Sequence, residues 1–201
     1  MKSILLSIKP KYVELIAMGE KTIEVRRTRP KLEVPFKCYI YETKGQYIKF
    51  IHGAHTKYGY GRGKVIGEFI CDKVICSQAY FDSQGKNHLT NVFPDDIKKT
   101  CLDEYDLWDY IAGKACKANE IYDGYLWHIS DLKIYDKPKE LSEFRKPCDW
   151  NYDCCTCKRA KYELTKAEAK VFYGCDSELT RPPQSWIYIE DLGEKNERNT
   201  F

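Results

Sequence analysis

From Ser3 to Ile8 the chain alternates weakly and is apolar enough for a first strand, and Lys9-Pro10 then opens a helix. Proline is tolerated in a first helical turn because its missing N–H has no partner there. Val13, Ile16 and Ala17 share one face of that helix, and Gly19 closes it with the left-handed cap that glycine permits. Thr22-Ile23-Glu24-Val25-Arg26 alternates like a half-buried strand with Thr22, Glu24 and Arg26 on one outward face. Further strand-like runs are Phe36 to Thr43, Tyr47 to Ile51, Val65 to Cys76, Tyr125 to Tyr135 and Trp186 to Ile189. Helices are few: a short one over Asp95 to Cys101, and an amphipathic one carrying Leu102, Tyr105, Trp108 and Ile111 and ending near Gly113. This order predicts an α+β fold, a sheet-rich barrel with peripheral helices, rather than a repeated βαβ unit.

Two stretches read as insertions. His52 to Lys64, rich in Gly, Tyr and Lys, is expected to be a mobile loop joining two strands. Lys146 to Arg181 holds five of the ten cysteines and separates the last two strands. The expected organisation is a barrel over residues 1–145 plus 181–192, a Cys-rich insertion over 146–180, and a flexible tail over 193–201. With 201 residues and 43% hydrophobic content the chain can bury one main core. The apolar run at the N-terminus is too short for a signal peptide and no membrane span follows, so the expectation is a soluble, cytoplasmic protein whose cysteines stay reduced or bind metal.

Charge changes the picture. Residues 1–67 hold 14 Lys and Arg against five acids, a local charge of +9, which leaves −6 on the remainder. A positive field confined to one part of a chain attracts polyanions. Within it, Gly19-Glu20-Lys21-Thr22-Ile23-Glu24-Val25-Arg26 packs two cations and a carboxylate at a helix-to-strand junction. Lysine and arginine there can hold phosphate or a base edge, with the carboxylate orienting them; the alternative is a solvent-facing salt-bridge ladder of little consequence. Tyr58 to Lys64 mimics a glycine-rich phosphate loop, but Tyr58 stands where the first glycine belongs and Val65 where Ser or Thr should hold magnesium. His52 and His55 have chelating spacing without nearby acids, and His88 and His128 have no evident partner.

The octamer resembles the G-x-K-x-x-E-x-R signature of ASCH domains, relatives of the PUA RNA-binding fold. Leu6-Ser7-Ile8-Lys9-Pro10 resembles the family's N-terminal strand-helix unit, and Tyr39 to Thr43 and Lys64 to Phe69 its next core strands. Pro182-Pro183-Gln184-Ser185-Trp186 is similar to the C-terminal strand entry of phage- or prophage-associated members. The resemblance implies a PUA-like mixed β-barrel with a cleft between the first helix and the barrel, Lys21, Glu24 and Arg26 at its floor and Lys9 at its rim. It implies RNA or a nucleotide-like ligand, with Thr43, Gln184, Ser185 and Trp186 as further contacts, Trp186 either stacking on a base or packing in the core. Some ASCH relatives are amidohydrolases acting on a modified nucleoside through a lysine and a threonine three residues later. Here that later position is Glu24, so the mechanism does not transfer, although Thr22 lies nearby. The alternatives to plain binding are therefore a hydrolase acting on RNA or a modified nucleoside through Lys21, Glu24 and Thr22, and a zinc-stabilised protein-interaction module.

Cys148, Cys154, Cys157 and Cys175 supply a C-x-x-C pair plus two flanking thiols, enough for a closed tetrahedral Cys₄ structural zinc site of the zinc-knuckle kind, with Cys155 spare. Free thiols and a redox pair are the other readings of these residues. Metal analysis of the purified chain is expected to return about one zinc per chain, lost in Cys154→Ser. A metal-free wild type would exclude the zinc site.

Overall fold

The structure is a computed structural model that describes residues 2–50, 56–114, 116–147 and 179–192. Its first unit is a strand β1 (Lys2–Ile8), a helix α1 (Pro10–Ala17) and a strand β2 (Ile23–Arg26). Strands β3 (Phe36–Glu42), β4 (Gly45–Phe50), β5 (Thr56–Gly61), β6 (Val65–Cys71), β7 (Val74–Phe81) and β8 (Asn87–Thr90) follow. Helices α2 (Pro94–Thr100) and α3 (Glu104–Ala112) precede β9 (Tyr122–His128) and β10 (Ser130–Lys139), and β11 (Trp186–Glu190) comes last. Pro10 occupies the first turn of α1 as expected, and α3 starts where the Asp103 carboxylate accepts from the backbone N–H of Asp106.

The strands form two open sheets and a hairpin. One sheet has the order β10-β6-β3-β1-β11, the other β2-β9-β7-β8, and β4 pairs with β5. Only β1 and β3 run parallel among the described pairs. The fold class is thus α+β, mostly sheet with three α-helices among the described residues, but the expected barrel is not closed. A barrel needs one continuous ladder, whereas β2 leaves the β1 sheet to pair with β9.

Two apolar runs that read as single strands each divide between the sheets. Val65 to Cys76 belongs to β6 and then, past Asp72-Lys73, to β7; the run containing Tyr125 to Tyr135 belongs to β9 and then, past Ile129, to β10. Where they cross, the backbone N–H of His128 donates to Lys73 O at 2.9 Å and His128 Nδ1 meets Asp72 Oδ1 at 2.6 Å. His128 therefore has a partner that the sequence did not suggest.

Each face of the β1 sheet is covered. Ile4, Leu6, Ile8, Ile40 and Phe69 pack with Val13 and Ile16 of α1 and with Trp127 of the second sheet, while Leu5, Tyr39, Val65 and Ile189 pack on the other side with Phe144 and Leu179. Phe36 meets Trp127 edge to face at 5.5 Å. The second sheet is likewise covered twice: Ile23, Val25, Ala79 and Leu126 face α3, and its opposite face, carrying Trp127, joins the first sheet. Burying a strand on both faces suits a continuous apolar run, as β1 has.

The region expected as a loop after Ile51 contains strand β5, paired with β4 from Gly45↔Gly61 to Phe50↔Thr56. Its glycines disguised it: a side chain at Gly59 would enter the Tyr47 ring, so the glycine is what lets Tyr47 lie across the hairpin. Gly61 is more constrained still, since a Cβ there would collide with Thr43 O and the Pro10 ring. Gly61→Ala is expected to lower stability by about 1–3 kcal/mol, read as a drop in melting temperature; an unchanged melt would show that the hairpin does not seat on α1 as described.

Candidate functional site

The floor of the site is an ion-pair chain buried between the two sheets. Lys21, Glu24 and Arg26 are only 3%, 5% and 7% exposed. Lys21 Nζ donates to Ile23 O at 2.8 Å and Thr100 O at 2.7 Å and lies 3.4 Å from Glu24 Oε2. The other oxygen, Glu24 Oε1, lies 2.9 Å from Arg26 Nη1, and Arg26 Nη2 donates to Ser7 O at 2.8 Å. The polar face of β2, expected outward, instead points at the first sheet, because Ile23 and Val25 claim the α3 side and Glu24 stands opposite Trp127 in the β2–β9 ladder. Neither the charges nor their positions are those of a solvated ladder.

The end of β1 is where the remaining candidates gather. Beyond its last paired residues, Leu6 and Trp186, Ser7 N donates to Ser185 O at 2.9 Å and Ser7 Oγ to Pro183 O at 2.6 Å. Thr43 N donates to Ile8 O at 2.9 Å. Lys9, exposed, is the N-cap of α1, and Lys11 and Lys44 are exposed on the segments that start and end there. Lys9, Arg26, Thr43 and Ser185 are thus assembled around Ser7 to Lys9, with Lys21 and Glu24 behind them.

The electrostatics are unbalanced. Two cations share one carboxylate, so the buried chain carries one excess positive charge. Among the described residues Arg26 Nε and Trp127 Nε1 are buried with no acceptor, and both lie on the inter-sheet face, since Tyr125 stands opposite Arg26 and Trp127 opposite Glu24. The Tyr12 ring lies 5.2 Å from Lys21 Nζ, and its hydroxyl is pushed up by burial first and by Asp106 and Glu24 next.

Other predicted residues are placed differently. Trp186, partly buried, packs 6.2 Å from Trp127 and 5.3 Å from Tyr188, and its indole N–H donates to Thr28 Oγ1 at 3.0 Å. Gln184 is exposed. The backbone of Thr22 is held by Lys99 O and by the N–H of Ile129, and the three acceptors around Lys21 do not include its hydroxyl. His88, also expected without a partner, meets Asp82 Oδ2 at 2.9 Å. Cys148, Cys154, Cys157 and Cys175, and His52 and His55, lie outside the described residues. Among the described residues no group of three His, Cys, Asp or Glu side chains could hold a metal, and no helix is long and apolar enough to cross a membrane.

Ser7, Tyr12 and Thr100 belong to the site and were missed. Ser7 left a signal, a polar residue inside an otherwise apolar strand; Thr100 left none, because it contributes only a carbonyl. Removing the carboxylate from between two buried cations is the sharpest structural test. Glu24→Gln is expected to cost about 3–5 kcal/mol, a fall in melting temperature of about 6–20 °C for a chain of this size. A loss under about 1 kcal/mol, the range of exposed pairs, would contradict the burial described.

Residues 6–125 match the ASCH domain. No curated protein matches the chain. Among solved structures it is similar to a point variant of ASCH from Zymomonas mobilis, at 15% identity over 95% of this chain and 92% of that one, with a TM-score of 0.48. The structure of ASCH from Zymomonas mobilis itself gives 16% identity over 94% and 88% of the two chains, with a TM-score of 0.45. With the domain match spanning more than half of its length, from β1 into β9, the chain belongs to the ASCH domain family.

Proposed function

We propose that the protein binds RNA or a nucleotide-like ligand at the end of β1, through Lys9, Arg26, Thr43 and Ser185 over the Lys21–Glu24–Arg26 floor. The observation that carries this reading is the make-up of that floor: two buried cations on one carboxylate, and an arginine N–H without an acceptor among the described residues. A buried charge without compensation is costly, and a phosphate supplies both the anion and the acceptor oxygens. The exposed Lys9, Lys11 and Lys44 around it extend the positive field of residues 1–67.

The same geometry favours binding over turnover. All three ammonium donors of Lys21 and both oxygens of Glu24 are engaged within the protein, which leaves neither free to move a proton or to stabilise a developing charge. In this reading the protein is cytoplasmic and of the phage-associated type, and its Cys-rich segment is closed by zinc.

Fluorescence anisotropy of labelled single-stranded RNA, structured RNA and duplex DNA across a salt series tests it. Saturable RNA binding is expected, with affinity falling steeply as salt rises. Lys9→Ala, which removes an exposed cation without touching the core, is expected to flatten the slope by about 0.7 for a single strand. Arg26→Lys keeps the charge but loses the planar fork and is expected to weaken binding at every salt concentration. Absence of saturable binding, or affinity indifferent to both substitutions, would overturn the proposal.

A further inference from the structure

The first turns of α3 and strand β8 border an open cavity of about 250 Å³, lined by Asn87, His88, Leu89, Glu104, Tyr105 and Trp108. Its walls are fixed. The Trp108 indole N–H donates to Tyr80 O at 2.9 Å, which leaves the ring, and no polar atom, to face the cavity. His88 stacks on Tyr80 with ring centroids 4.8 Å apart and an interplanar angle of 15°, and Asp82 holds it by Nε2. Asp82 in turn accepts from the backbone N–H groups of Gln84 and Lys86, so the histidine is anchored to a tight turn and not to a free side chain.

What this cavity offers a ligand is aromatic surface and negative charge. Tyr105 is 63% exposed, tilted over Trp108 at 6.1 Å, and is among the larger apolar surfaces left to solvent. Glu104 has no cationic partner among the described residues. Residues 82–112 carry seven acids against three lysines, the reverse of the field around β1. Such a surface repels phosphate and attracts cations.

We infer that this cavity receives an arginine side chain from a basic protein partner, its guanidinium stacked on the exposed ring of Tyr105 and paired with Glu104. A guanidinium is planar and weakly hydrated and stacks on aromatic faces, and its fork matches a carboxylate, so it satisfies both features of the cavity at once. The ammonium of lysine, a strongly hydrated point charge, satisfies only the second. Aromatic and arginine anchors seated in preformed pockets are also what dominates protein interfaces energetically.

Isothermal titration calorimetry of the full chain with a blocked hexapeptide of alternating glycine and arginine tests the inference. Saturable binding is expected, weaker by about fivefold or more when lysine replaces arginine. Glu104→Gln alters an exposed side chain, so its melting temperature should match the wild type; Tyr105→Ala also loses its ring contact with Trp108 and is measured well below its melt, and each is expected to lose about tenfold in affinity. Equal affinity for the two peptides, equal affinity in the variants, or no saturation at millimolar peptide would overturn it. RNA binding at the end of β1 can fail or hold without affecting this result.

Discussion

One carboxylate organises this protein. Glu24 is buried between Lys21 and Arg26, and each cation carries the link onward to a different part of the fold. Lys21 reaches the carbonyl at the end of α2, and Arg26 reaches the carbonyl of Ser7 in β1. The chain of charges therefore ties α2, the second sheet and the first sheet together at one point. Coulomb attraction in such a place is strong because water is excluded, and for the same reason each charge is costly without its partner.

The fold makes that burial unavoidable. β6 continues into β7, and β9 into β10, each pair divided between the two sheets. The sheets are therefore covalently stitched twice, which holds their facing sides against each other. Since α3 covers the other side of β2, the strand's alternate residues have only the inter-sheet layer to enter. A hydrophobic set there would have packed at lower cost; two cations sharing one carboxylate suit the proposed anionic ligand. The acidic, aromatic cavity by α3 is different in sign and chemistry, which is why it is read as a surface for another partner.

Much of this was legible in the sequence, and the failures have physical causes. The strand-helix unit at the start, the two later helices and the G-x-K-x-x-E-x-R octamer were visible because periodicity and caps act locally. Whether a strand has one covered face or two is not local, so Glu24 and Arg26 were read as outward although the first sheet covers that face. The sheet-switching runs looked like single strands because apolar residues continue through the crossings. β5 was hidden by glycines chosen to accommodate Tyr47 and Pro10, and the histidine partners Asp72 and Asp82 are set by turns and crossings that composition does not encode.

The central claim is that the Arg26 Nε–H, which has no acceptor among the described residues, gains one from an anionic ligand bound beside the Lys21–Glu24–Arg26 chain. The most direct measurement is the NMR signal of the Arg26 Nε–H, assigned by comparison with Arg26→Lys, during titration with a short single-stranded RNA. The account predicts that this signal moves downfield and exchanges more slowly with water as the RNA saturates, as a buried donor does on gaining a phosphate acceptor. A signal that stays in place while RNA binds would contradict it and put the nucleic acid elsewhere on the protein.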